Sequence, residues 1–130
     1  MFLDTNVIIL ILDSLIEKKH KNVIDEYGNN KDIFISSIVL AEVLGYQGYT
    51  NEQADIIYKK IKKGFKIVKV DIKISLLASE ISRDQRKNTG KKLKITDAII
   101  AATSIINNKI LMTFDKEDFK NINNLKLFNL

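Results

Sequence analysis

Met1-Phe2-Leu3-Asp4-Thr5-Asn6-Val7-Ile8-Ile9-Leu10-Ile11-Leu12 opens the chain. Met1 to Leu3 suits a very short apolar strand, Asp4-Thr5-Asn6 supplies helix-capping side chains, and the periodic run from Val7 to Ile16 predicts a helix. Strand, turn and helix then recur along the sequence. Such alternation favours a parallel sheet, because parallel neighbours are joined by a crossover that is usually a right-handed helix. The fold class predicted is a three-layer α/β/α sandwich with a central parallel sheet. In such folds ligands bind beyond the carboxyl ends of the strands, here the residues just after Leu3, Ile35 and Met112.

Working outward, Lys21 to Tyr27 suits a helix closed by Gly28-Asn29-Asn30, and Asp32 to Ile35 returns as a strand before Ser36-Ser37, which can cap a helix from Ile38 to Leu44. Gly45 and Gly48 break that helix. Thr50 caps a segment from Asn51 to Lys63 in which Ala54, Ile57, Tyr58 and Ile61 repeat at helical spacing. After Gly64, Phe65 to Val70 is β-prone, and Asp71 can cap a long helix carrying Ile74, Leu77, Ala78 and Ile81 until Asn88-Thr89-Gly90 interrupts it. Thr96 to Asn107 predicts the most apolar helix, Lys109 to Thr113 a strand, and Leu125 to Phe128 a final strand. The 130 residues contain no repeat or low-complexity linker. One domain over residues 1–130 is expected, since single cores occupy about 100–150 residues.

Composition narrows the chemistry. With 45% apolar and 28% charged residues the chain has the make-up of an ordinary globule, and the absence of cysteine excludes disulfides, a thiol nucleophile and Cys-ligated zinc. The one histidine, His20, lies between two lysines, so imidazole catalysis has little to build on. The longest apolar run, Val7 to Leu12, falls far short of the ~20 residues a membrane helix needs, and no basic segment precedes it as in a signal peptide. A cytoplasmic protein without membrane contact is expected. Lysine and arginine number 21 against 16 acids, a net charge of +5 that tilts toward a polyanionic partner, although a coding bias toward Ile, Lys and Asn also accounts for it. Two basic clusters stand out. Lys59, Lys60, Lys62, Lys63, Lys66 and Lys69 suit a solvated helix face, while Arg83, Arg86, Lys87, Lys91, Lys92 and Lys94 are candidates for gripping an RNA backbone.

Isolated acids carry the strongest signal. Asp4 is the only charged side chain between Met1 and Leu12, Glu42 between Ile33 and Asn51, and Asp97 between Ile95 and Asn108. At helical spacing Glu42 shares a face with Ile38, Ala41 and Gly45, which predicts that its carboxylate projects from a packing surface and needs a partner. Asp115, after the strand ending at Met112, is a fourth acid, with Asp118 close behind. Simpler roles remain open: Asp4 and Asp97 can each cap a helix, and Glu42 can lie at an exposed edge. Carboxylates brought together repel, however, and a divalent cation removes that penalty. All-oxygen ligation points to Mg²⁺ or Mn²⁺, which can activate water for in-line attack on a phosphodiester.

Four segments together resemble the motifs of PIN domains, and more narrowly those of the VapC-type toxins of prokaryotic toxin–antitoxin pairs. They are Phe2 to Asn6, Ser37 to Val43, Thr96 to Thr103 and Leu111 to Phe119, in family order. The resemblance implies a Mg²⁺- or Mn²⁺-dependent endoribonuclease that leaves a 5′-phosphate and a 3′-hydroxyl. Asp4, Glu42, Asp97 and Asp115 would form the acidic cluster, with metal on Asp4, Asp97 and Asp115 and with Glu42 holding metal or orienting the attacking water. Thr5 matches the family's hydroxyl residue and Asn6 its polar support, and either Asp115 or Asp118 completes the site. The family also implies a homodimer and a cognate antitoxin whose tail covers the acidic pocket.

Two other readings compete with it. A phosphotransfer enzyme of the same fold class needs a second acid beside the first strand, where this chain has Asn6. A non-catalytic RNA-binding or interaction module of the same fold would not need all four acids.

Overall fold

The computed structural model describes residues 1–46 and 48–129, with residue 30 described in its backbone alone. Four parallel strands form the sheet: β1 (Phe2–Leu3), β2 (Phe34–Ser36), β3 (Lys66–Val68) and β4 (Leu111–Met112), in the order β3-β2-β1-β4. The helices among the described residues are α1 (Thr5–Leu12), α2 (Lys18–Asn30), α3 (Ser37–Leu44), α4 (Asn51–Gly64), α5 (Ile72–Thr89), α6 (Ile95–Ile106) and α7 (Lys116–Phe119). The result is an α/β sandwich with a central parallel sheet. Among the described residues no helix is long and apolar enough to cross a membrane.

The chain steps from β1 outward to β2 and β3, then returns to place β4 on the other side of β1. That reversal makes the carboxyl ends of β1 and β4 the switch point of the sheet, where connections diverge and leave a crevice. Register is fixed by Phe2 opposite both Phe34 and Leu111, and by Leu3 opposite Met112. Leu3, Ile35 and Leu111 are fully buried between the helices, with Val7 and Ile8 of α1, Val39 of α3, and Ala98 and Ala101 of α6 closing over them. Burial of this kind contributes about 1.5–3 kcal/mol per large aliphatic side chain, so strands of two or three residues persist as part of a common core.

Most helix starts follow the expected caps. Ser36 accepts from the Ile38 amide, Asp71 from that of Ile74, and Thr50 forms a reciprocal capping box with Gln53. The differences from expectation have local causes. α1 ends at Leu12, short of Ile16, because Ser14 takes a left-handed backbone at φ 56°. α2 starts at Lys18 and runs through Gly28 to Asn30, past the glycine at which the sequence predicts its close, since a single glycine costs a helix only about 1 kcal/mol. The last expected strand is a single parallel bridge from Leu111 to Leu127.

Gly90 closes α5 in the left-handed region at φ 70°, with open space where a side chain would go. Gly90→Ala should therefore lower stability through the backbone alone, by about 1–2 kcal/mol in urea unfolding, while Gly90→Asn loses less. Equal stability of all three proteins would contradict this.

Candidate active site

Asp4 leaves the end of β1 as the N-cap of α1 and is 4% exposed. Its Oδ1 accepts the Thr5 amide at 2.7 Å, and its Oδ2 accepts the Thr113 hydroxyl at 2.7 Å. Pairing of Leu3 with Met112 dictates that meeting, because the next residues of two parallel strands emerge side by side, and the Asp4 amide itself donates to the Met112 carbonyl at 3.0 Å. Having spent its one proton on Asp4, the Thr113 oxygen accepts the Asp115 amide at 3.0 Å and lies 3.5 Å from the Asn6 amide nitrogen. Asn6, on α1, donates to Asp115 Oδ2 at 2.9 Å and accepts the Phe114 amide at 3.4 Å. Thr5 donates its hydroxyl to Glu42 Oε1 at 2.8 Å.

These bonds bring Asp4, Thr5, Asn6, Glu42 and Asp115 into one network at the switch point. Asp97, in the first turn of α6, joins them through charge. Burial pushes its carboxyl up to about 6, the neighbouring charge of Asp4 adds to that, Lys94 opposes it, and Asp118 and Glu42 push it further. Asp4 is likewise raised, chiefly by burial, against the hydrogen bonds from Thr113 and Thr5 and with the charges of Glu42 and Asp115 adding to the effect. Asp118, in the first turn of α7, thus belongs to the same field, while Asp115 is the acid that Asn6 holds.

The structure decides three of the roles left open by the sequence. Glu42 does not project from a packing face: the buried side of α3 carries Val39 and Val43, and Glu42 lies on its exposed side with Thr5 as partner. Asp4 does cap α1, in addition to its bond with Thr113. Asp97 makes no capping bond, since Lys94 occupies the N-cap position of α6. Thr113 was missed in the sequence. The available signal was a small polar residue ending the apolar run Ile110 to Met112, in register with Asp4.

The donor set is all oxygen and mutually repelling, which is the chemistry a hard divalent cation suits. As placed, the carboxylates stand apart: among the described residues no three His, Cys, Asp or Glu side chains converge as a metal site. The basic residues divide. Arg83, Arg86, Lys92 and Lys94 line one cleft beside Thr96, Lys91 and Lys92 line another with Glu117 and Asp118, and Lys87 is exposed. Lys59, Lys60, Lys62, Lys63, Lys66 and Lys69 all lie exposed, with Lys59 paired to Asp55 and Lys66 to Asp32.

The sequence matches the PIN domain family over residues 1–125. No curated protein matches it. Among solved structures it is similar to VapBC2 from Rickettsia felis, bound to a DNA fragment from their promoter, with 27% identity and a TM-score of 0.83 over 99% of this chain and 97% of that chain. A toxin–antitoxin complex from Klebsiella pneumoniae matches at 25% identity and a TM-score of 0.70, over 98% of this chain and 95% of that one. VapBC-1 from nontypeable Haemophilus influenzae, at 23% identity and a TM-score of 0.80 over 98% and 96%, shares the fold.

A carboxyl raised to about 6 opposes folding when ionised, fully above that pH and not at all below its ordinary value of 3.8. In metal-free buffer at pH 7.5, Asp97→Asn should therefore melt above wild type, by on the order of 1 kcal/mol once solvent screening at this half-buried group is discounted. The difference should shrink toward zero as pH falls to 4. A destabilised variant across that range would make Asp97 a structural helix-start charge instead.

Proposed function

The chain belongs to the PIN domain family, and from that premise we propose that it is a Mg²⁺- or Mn²⁺-dependent endoribonuclease, the toxin of a toxin–antitoxin pair. The observation that carries the reading is the hydrogen-bonded network at the switch point of the sheet, in which Thr113 and Thr5 hold Asp4, Thr5 holds Glu42 and Asn6 holds Asp115. Asp4, Asp97 and Asp115 would hold the ion, which when bound offsets their repulsion, lowers the pKa of water and stabilises charge on the phosphate. The remaining roles fall to the chain itself. Thr113 and the Thr5 amide fix both oxygens of Asp4, Asn6 fixes Asp115, and the Thr5 hydroxyl holds one oxygen of Glu42. Its other oxygen is left to orient the water that attacks phosphorus, with the 3′-oxygen departing and the 5′-phosphate retained. Bonds of this kind limit how far each acid must turn to reach a bound ion.

Partners follow from the same likeness. The Rickettsia and Haemophilus structures are of VapBC, and the Klebsiella structure is a toxin–antitoxin complex. We propose that this chain likewise pairs with an antitoxin whose tail covers the acidic pocket, and that it works as a homodimer. Ile72 and Leu76, one turn apart on α5 and both well exposed, offer apolar surface for such assembly.

Incubated with a total RNA pool, the protein should cleave in Mg²⁺ or Mn²⁺ and fall silent in excess chelator. Asp4→Asn and Asp97→Asn should each reduce the rate at least about 100-fold, or roughly 2.7 kcal/mol of barrier. Cleavage that persists in chelator, or full activity of either variant, would remove the metal-nuclease reading.

A further inference from the structure

α5 sorts its charges by face. Glu80 and Asp84 line one cleft with Asn88, while Arg83 and Arg86, three residues apart and so neighbours on the helix, line another. This second cleft has a volume of about 610 Å³. Lys92 and Lys94 enter it from the segment between α5 and α6, on either side of Leu93, which packs against the core and anchors that segment. Among the described residues none of these four cations is within ion-pair distance of a carboxylate. Four cations gather there without an ion pair, Lys94 also acting on the charge of Asp97, and a bound anion would offset their mutual repulsion.

The cleft offers more than charge. Leu93 and Ile95 supply apolar wall, Ile95 being 58% exposed, and guanidinium planes can stack on a nucleobase. The Oγ of Ser82, another lining residue, is buried and has no hydrogen-bond partner, an orphan polar group in the wall. The volume falls in the range of small-molecule sites, about 300–1,000 Å³. Thr96, the residue before Asp97 on α6, and Lys94, whose charge acts on Asp97, both line the cleft and link it to the acidic site.

We propose that this cleft is a subsite for one nucleotide, its phosphate held by Arg83, Arg86, Lys92 and Lys94 and its base set against Ile95. Resting on the nuclease reading, it deepens it: the nucleotide is a neighbour of the cleaved phosphate, and because a base must leave its stack to enter, the substrate is single-stranded there. The same chemistry is shared by a free nucleotide, so both sources enter the test.

The test is an amide-resonance titration of the whole protein in chelator, with adenosine 5′-monophosphate, inorganic phosphate, a single-stranded RNA hexamer, and that hexamer in duplex. The nucleotide should shift residues 82–86 and 92–96 saturably, and the single strand should bind more tightly than the free nucleotide or the duplex. Arg83→Ala with Arg86→Ala should weaken nucleotide binding at least about tenfold, as expected for lost hydrogen bonds between charged groups. Ile95→Ser, at an exposed position that spares the core, should weaken the nucleotide and leave phosphate unchanged, while Lys60→Ala on α4 changes neither. No saturable shift, phosphate binding as tightly as the nucleotide, or a duplex binding as well as the single strand would each overturn the subsite. Because nothing is cleaved in this experiment, the two readings separate. Binding by a protein that cuts no RNA upholds the subsite and overturns the nuclease, and cutting without nucleotide binding does the reverse.

Discussion

The hydrogen bond from the Thr113 hydroxyl to Asp4 is the contact on which the site depends. It exists because β1 and β4 pair in parallel with Leu3 opposite Met112. A one-residue slip of β4 would turn Thr113 to the other face of the sheet, away from Asp4. From that bond the network extends: Thr113 accepts the Asp115 amide, Asn6 grips Asp115, and Thr5, beside Asp4, reaches Glu42. Helices α1, α3 and α7 are thereby tied to two adjacent strand ends.

Such a site opposes the stability of the protein that carries it. Asp4 is buried, its neighbours are negative, and the acids around Asp97 are opposed there by Lys94. Hydrophobic burial around Leu3, Ile35 and Leu111 supplies the free energy that keeps these carboxylates together. Positioning by hydroxyls and an amide, none of them charged, leaves the negative potential intact for a cation. Arginine or lysine in the same places would neutralise that potential.

Much of this was legible in the sequence because the relevant patterns are local. Asp4-Thr5-Asn6 after an apolar triplet announces a strand end and a cap, and three acids stand alone in otherwise uncharged segments. The fold class followed from alternation, and the caps at Ser36, Thr50 and Asp71 from residue type. What remained hidden depends on contacts between distant residues. Glu42 sits on the exposed side of α3 because Val39 and Val43 fill the buried side, and helical spacing alone allowed either face. Thr113 is an unremarkable threonine until the β1–β4 register sets it against Asp4. Ser14 ends α1 through a backbone angle that no propensity announces, and α2 continues through Gly28 to Asn30.

The central claim is that these acids, oriented as a group, bind a divalent ion. Titration of Mn²⁺ followed by electron paramagnetic resonance tests it without any substrate. Wild type should bind saturably, Asp4→Asn and Asp97→Asn should bind far more weakly, and Thr113→Val, which removes only an orienting hydroxyl, should lose roughly 10–100-fold. Asp55→Asn, at an exposed acid paired with Lys59 on α4, should bind as wild type does. Equal affinity across all five proteins would contradict the account.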